Sequence, residues 1–159
     1  DTLSASMQKK YAHIIVKESE QDHNDQTKAV RWALNNLEGI ESIYILGATG
    51  GRADHTIGNA SLLMEYTRMF DLSSISIESV SDNGTIFPIN DTIEFECGPG
   101  RCISIFTPDN TLRIKSSGLM YPTDDVVFDN WWKATLNKST ADTVRLELNH
   151  RSIALIMLD

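Results

Sequence analysis

The sequence predicts an α/β N-terminal part, built on an incomplete parallel sheet, followed by an all-β antiparallel sandwich. Two observations carry this. Up to about residue 72, short apolar runs alternate with segments whose apolar residues recur at helical spacing. Beyond it helical periodicity disappears, and short β-rich runs follow one another between turn signals. The 159-residue chain therefore reads as two modules, residues 1–72 and 73–159, within the range of one domain or two small ones.

The elements follow in order. Tyr11 to Lys17 reads as a buried strand, with His13 a core residue within it. From Asp25 to Leu37, Ala29, Val30, Ala33, Leu34 and Leu37 fall at helical spacing, with Asn24 placed to cap the helix and Gly39 to end it. Ser42 to Leu46 is the next strand, and a helix runs from about Thr56 to Phe70. Strand–helix alternation implies parallel pairing. The α/β part offers only two or three strands, too few for a stable doubly wound sheet, so further strands are expected N-terminal to it. In the second module the expected strands are Ser74 to Val80, Thr85 to Pro88, Thr92 to Phe95, Cys102 to Phe106, Thr111 to Ile114, Thr143 to Leu148 and Ser152 to Leu158. Turn signals such as Asp82-Asn83-Gly84 and Gly98-Pro99-Gly100 separate them. Val144, Leu146 and Leu148 alternate as one inward face, as an antiparallel sandwich or barrel requires.

Composition narrows the function. Hydrophobic residues make up 41% of the chain, enough for a buried core, and the net charge is -8 with no concentration of Lys or Arg. A nucleic-acid surface is not expected, because it needs a basic stripe. No apolar run approaches the ~18 residues that span a bilayer, so no membrane association is expected. Cys97 and Cys102 flank a Gly-Pro-Gly turn in which a disulfide is geometrically possible, but two reduced thiols of a cytoplasmic protein are the expected state.

The chemistry concentrates in Gly47-Ala48-Thr49-Gly50-Gly51-Arg52-Ala53-Asp54-His55, between the Ser42–Leu46 strand and the following helix. A glycine turn at a helix start leaves backbone N–H groups free to donate to phosphate oxygens. Arg52 adds a cation suited to phosphate; Asp54 is either a metal ligand or the group that orients Arg52. His55 is a hydrogen-bond donor to substrate, a general base, or structural. Asp25 and Lys28 share the first turn of the preceding helix; they read as a solvated ion pair or, functionally, as a metal ligand and a phosphate contact. Both motifs are expected at the C-terminal edge of the parallel sheet, where ligands of open α/β sheets bind. Trp131, Trp132 and Tyr121 either pack the sandwich core or stack on a flat heterocycle at an open edge. His23 and His150 lie in loops and carry no signal.

The stretch Gly47 to His55 closely resembles the signature of thiamine pyrophosphokinases. Asn24-Asp25-Gln26-Thr27-Lys28 resembles that family's Thr-Asp-x-x-Lys motif, Ser117 to Pro122 its Gly-x-x-Tyr/Trp segment, and Thr135-Leu136-Asn137 its Ser-Asn element. The resemblance implies transfer of a diphosphate from ATP to the hydroxyethyl group of thiamine, giving thiamine diphosphate and AMP. It further implies Mg²⁺ as cofactor and a homodimer with each active site between the α/β part of one subunit and the β part of the other. On this resemblance Asp1 and Asp25 hold the metal. Lys28, Gly50, Gly51, Arg52 and His55 receive the phosphates, and Asp25, Lys28, Arg52 and Asp54 form the catalytic set. Tyr121, Thr135 and Asn137 contact thiamine. Asp1-Thr2 is the tail of an earlier Gly-Asp-x-Asp-Ser metal motif, so the N-terminal part is expected to be incomplete. Leu136 stands where the family has Ser, with Ser139 as a substitute in a shifted register. A pyrophosphokinase acting on a pterin-like alcohol and a non-catalytic thiamine- or nucleotide-binding protein are the rival readings.

Overall fold

The computed structural model describes residues 3–159 and divides into two compact units, one ending at Glu38 and the other running from Gly39 to Asp159.

In the first unit, α1 (Ala5–Lys10) is a single short helix. Ser4 caps it by accepting from the Met7 amide at 3.4 Å, and Lys9 and Lys10 occupy its last turn, where positive charge suits the helix dipole. The strand expected over Tyr11 to Lys17 does not form. The chain turns at residues 11–14, with Ile14 and Ile15 amides both donating to the Tyr11 carbonyl, and Ile14 and Val16 stay exposed. An apolar run becomes a strand only where another strand pairs with it, and this one has no partner among the described residues. His13 is correspondingly exposed in a turn, not packed in a core. The second helix, α2 (Asp25–Asn36), forms where the spacing places it. Asn24 stays in the extended region and accepts from the Thr27 amide at 2.9 Å. Thr27 and Val30 form its buried stripe, and the helix ends at Leu37.

The second unit begins with β1 (Ser42–Leu46), followed by α3 (Ala53–Met69), which starts earlier than expected because Asp54 and His55 already lie in its first turn. Then come β2 (Ser76–Ser81), β3 (Gly84–Ile89), β4 (Ile93–Glu96), β5 (Cys102–Phe106), β6 (Ile114–Ser117), β7 (Ala134–Lys138), β8 (Thr143–Leu148) and β9 (Ala154–Leu158). A six-stranded sheet has the order β1-β2-β3-β9-β5-β7, and a three-stranded sheet the order β4-β8-β6. Among the described residues only β1 and β2 pair in parallel; every other pair is antiparallel. The expected parallel piece and the expected antiparallel sandwich are thus joined by hydrogen bonds into one mixed sheet.

Around β3 and β9 both faces of that sheet are covered. Ile89, Ile103, Ile105, Ala154 and Ile156 meet Ile114, Val144, Leu146 and Leu148 of the smaller sheet in one core, with Leu112, Leu119 and Phe128 filling between. On the other face Ile77, Ile86 and Leu155 are buried on the side where α3 packs with Leu63 and Tyr66. This is why Ala154, Leu155 and Ile156 are buried in succession: a strand covered on both sides reads as a continuous apolar run. The run expected at Thr111 to Ile114 is displaced. Asp109 accepts from the Thr111 amide at 2.8 Å and its hydroxyl at 2.6 Å, forming a turn that delays β6 to Ile114. No helix is long and apolar enough to cross a membrane among the described residues. Both thiols, Cys97 and Cys102, are free.

Candidate functional site

The glycine loop connects β1 to α3. Gly47 and Gly50 have φ of 73° and 88°, a region that residues with a Cβ adopt at a cost. Nothing lies within 4 Å of a Cβ placed at Gly47, Gly50 or Gly51, so the loop is open to solvent. Asn59 donates to the Ala48 carbonyl at 3.0 Å and ties the loop back to the helix. Arg52 occupies the N-cap position of α3 but gives it no side-chain cap. Its guanidinium instead grips Asp54 through two bonds, Nε to Oδ1 at 3.1 Å and Nη2 to Oδ2 at 2.5 Å. Asp54 Oδ1 also accepts from the His55 amide at 3.0 Å. Arg52 holds the Asp54 carboxyl below the usual carboxylate range, and the His55 amide assists. Both side chains are mostly exposed, at 73% and 61%. In this chain the Asp54 carboxylate is paired with Arg52, the geometry expected of a group that orients the guanidinium. A guanidinium aimed by a carboxylate beside free helix N–H groups can receive a phosphate without first being ordered.

In the first unit, Asp25 is the first residue of α2, exposed, and Lys28 lies half-buried in the same turn. Among the described residues these two form no ion pair, so the reading of them as a solvated pair does not hold. Asp1 lies outside the described residues. Among the described residues no group of three His, Cys, Asp or Glu side chains is disposed to hold a metal. The strand expected before α2 is missing, so the argument that placed Asp25 at the end of a parallel strand no longer applies.

The second-module residues assemble on β7. Leu119 bridges to Ser139 and the Met120 amide donates to the Lys138 carbonyl at 2.8 Å, so residues 118–121 run alongside β7. Asn137 is 6% exposed and clamps Tyr121: its Oδ1 accepts from the Tyr121 amide at 3.1 Å and its Nδ2 donates to the Tyr121 carbonyl at 2.6 Å. Oδ1 also accepts from the Lys138 amide. Asn137, expected as a thiamine contact, holds the Tyr121 backbone in place in this structure. The Ser139 hydroxyl is engaged within the fold: it donates to the Gly98 carbonyl at 2.6 Å and accepts from the Arg101 amide. Thr135 is half-buried.

Leu136 has φ of 60°, the left-handed region, and is 86% exposed. The pairing of Ile103 with Asn137 and Ile105 with Ala134 leaves Thr135 and Leu136 opposite Ser104 alone, a bulge in which Ser104 Oγ accepts from the Leu136 amide at 3.0 Å. Tyr121, Trp131, Trp132 and Met120 are also exposed, and Trp131 leans on Phe106 with ring centroids 5.2 Å apart. The aromatic residues thus stand at an open edge and not in the sandwich core. Sequence reasoning missed the Asn137 clamp, and also two anchoring carboxylates. Asp109 binds Ser152 at 2.6 Å and His150 at 2.9 Å, and Glu20 binds His23. His23 and His150 thus have partners that their loop positions did not reveal.

The chain is similar to known proteins along most of its length. A family profile described as "Thiamin pyrophosphokinase, catalytic domain" matches residues 1–74, and one described as "Thiamin pyrophosphokinase, substrate-binding domain" matches residues 84–154. The chain is 35% identical over 89 residues to thiamine pyrophosphokinase 1 of Oryza sativa subsp. japonica, covering 54% of this chain and 31% of that protein. It is 48% identical over 48 residues to the thiamine pyrophosphokinase of Bacillus subtilis, covering 30% of this chain and 22% of that protein. The matches thus span less than a third of either curated relative. Among solved structures, thiamine pyrophosphokinase from Bacillus subtilis superposes with a TM-score of 0.80 at 21% identity, covering 100% of this chain and 75% of that one. The Candida albicans enzyme superposes with a TM-score of 0.76 at 17% identity, covering 100% and 71%. With both profiles matched in order along the chain, the protein belongs to the thiamin pyrophosphokinase family.

Proposed function

We propose that the chain transfers a diphosphate from ATP to the hydroxyl of thiamine, giving thiamine diphosphate and AMP. The observation that carries this reading is the Arg52–Asp54 pair at the start of α3, directly after an open glycine loop. In this reading residues 1–72 form the ATP-binding catalytic part and residues 73–159 the thiamine-binding part.

Diphosphoryl transfer asks little covalent work of a protein, and positioning with charge neutralisation supplies most of the rate. Arg52 and Lys28 hold the phosphate oxygens. The backbone amides at Gly50, Gly51 and the α3 start, with His55 beside them, donate to phosphate oxygens that a side chain would crowd out. Asp54 keeps the guanidinium aimed, which removes its reorganisation from the barrier. The thiamine oxygen forms a bond to the β-phosphorus as the bond to the α-phosphate oxygen breaks; AMP leaves, and the hydroxyl proton passes to a carboxylate or to solvent. Mg²⁺ is commonly bound by one or two carboxylates together with substrate phosphates, and exposed Asp25 fits a metal delivered with the nucleotide. When bound, the ion neutralises charge on the phosphate oxygens.

Tyr121 stacks on thiamine, a planar cation suited to an aromatic face. Its exposure, together with that of Trp131, Trp132 and Leu136, supports a homodimer in which this edge completes the site of the other copy. The reading places the protein in the cytoplasm, away from membrane and nucleic acid. Purified protein given Mg·ATP and thiamine tests it through AMP release. A pterin alcohol consumed in preference to thiamine would sink the thiamine assignment, and thiamine binding without AMP would reduce the protein to a binder.

A further inference from the structure

Glu20 belongs to none of the motifs singled out in the sequence, yet its carboxylate collects donors from two directions. Oε1 accepts from the amides of Asp22 and of His23, the latter at 2.8 Å. Oε2 lies 3.1 Å from His23 Nδ1 and accepts from Arg31 Nη2 at 3.1 Å. Arg31 sits on α2, and its guanidinium also lies 3.8 Å from Glu18. The result is a staple between the loop that leads into α2 and the body of that helix. The stapled loop runs straight into Asn24, whose side chain caps the helix, and then into Asp25.

We propose that Glu20 is a positioning residue for the phosphate-binding start of α2, holding the loop backbone so that Asp25 and Lys28 are already placed when the nucleotide arrives. The charges agree with this. A lone carboxylate in the loop before Asp25 would repel a triphosphate, whereas Arg31 cancels it and leaves only the ordering. The magnitudes agree as well. Glu20 and Arg31 are each 30% exposed, and partly exposed ion pairs contribute little to stability. Misplacing a binding group by an ångström costs far more in rate. Removing Glu20 should thus be felt in nucleotide handling and hardly at all in melting.

The inference rests on the reading of the α2 start as a polyphosphate contact, so its test separates the two. Glu20→Ala, Glu20→Gln and Arg31→Lys are compared with the parent by amide hydrogen exchange, by calorimetric titration with Mg·ATP, and by steady-state kinetics for both substrates. Glu20→Ala should raise the KM for Mg·ATP about 10-fold with the thiamine KM unchanged. Amide protection at Asp22 and His23 should fall about as much while Tm moves by no more than about 2 °C. Glu20→Gln retains an acceptor for the two amides and should recover most of the loss. A parent that binds no Mg·ATP overturns the polyphosphate reading itself. A parent that binds it, with Glu20→Ala matching it in affinity and exchange, overturns the positioning role alone. Equal losses for both substrates with a large fall in Tm also overturn it, by making Glu20 a general support of the fold.

Discussion

The loop from Gly47 to His55 and the edge around Tyr121 face the two halves of the proposed reaction, and they are built in opposite ways. In the loop the functional contact is short in sequence and open to water: Arg52 and Asp54 are two residues apart and both mostly exposed. At the edge, Tyr121 is exposed but its position is set by Asn137, buried and sixteen residues away. The loop makes a charge available; the edge makes a surface rigid. Loss of a loop residue should therefore weaken chemistry with little change in folding, whereas loss of the clamp should do both.

The largest expected effect follows from the first half of that contrast. Arg52→Ala should lower kcat/KM by about 3 kcal/mol, the scale of losing a preorganised charge donor, with an unchanged denaturant midpoint. Asp54→Asn should fall in the same direction but less far, with an unaltered Mg²⁺ requirement; a shifted requirement would return Asp54 to the metal. At the edge, Asn137→Ala should destabilise by about 2 kcal/mol, because it leaves the Tyr121 backbone groups unpaired, and should raise the thiamine KM along with it. Tyr121→Ala should weaken thiamine binding by about 1 kcal/mol and leave ATP alone; equal losses for both ligands would erase the division of labour. Leu136→Gly should stabilise by up to about 1 kcal/mol by releasing the left-handed backbone. Chemical denaturation measures each stability change.

Acid should act most gently, and on the first unit's loop. Partial burial acts to raise the Glu20 pKa, but the Arg31 guanidinium, His23 and the Asp22 amide outweigh it and bring the group from 4.5 to about 2. A group lowered in the folded state stabilises above its unfolded value and loses that contribution as pH falls through its folded one. Amide protection at Asp22 and His23 should then hold at and above pH 4.5 and drain away toward about 2. Protection that disappears near neutrality would mean the staple depends on another group.

The same contrast explains how much could be read from the chain beforehand. β1, β5 and β8 lie where apolar runs or alternation place them, and α2 starts where Asn24 and Asp25 say it should. These are local signals, as is the glycine loop. β7 went unread because its bulge at Leu136 breaks the alternation, leaving buried positions at Ala134 and Asn137. The parallel pairing of β1 with β2, which ties both kinds of sheet together, is a contact across thirty-four residues with no mark in either strand. Ile14 and Val16 misled for the complementary reason: their composition suits a strand, but composition supplies no partner. Glu20 and Asp109 were passed over because an acidic residue in a loop looks solvated until its donors are placed around it.

The most direct test of the account follows the products when the protein is supplied with Mg·ATP and thiamine, comparing the parent with Lys28→Ala, Arg52→Ala and the double variant. The account predicts thiamine diphosphate and AMP in equal amounts, with each single variant and the double variant impaired. Thiamine monophosphate with ADP, or single variants as active as the parent, would contradict it.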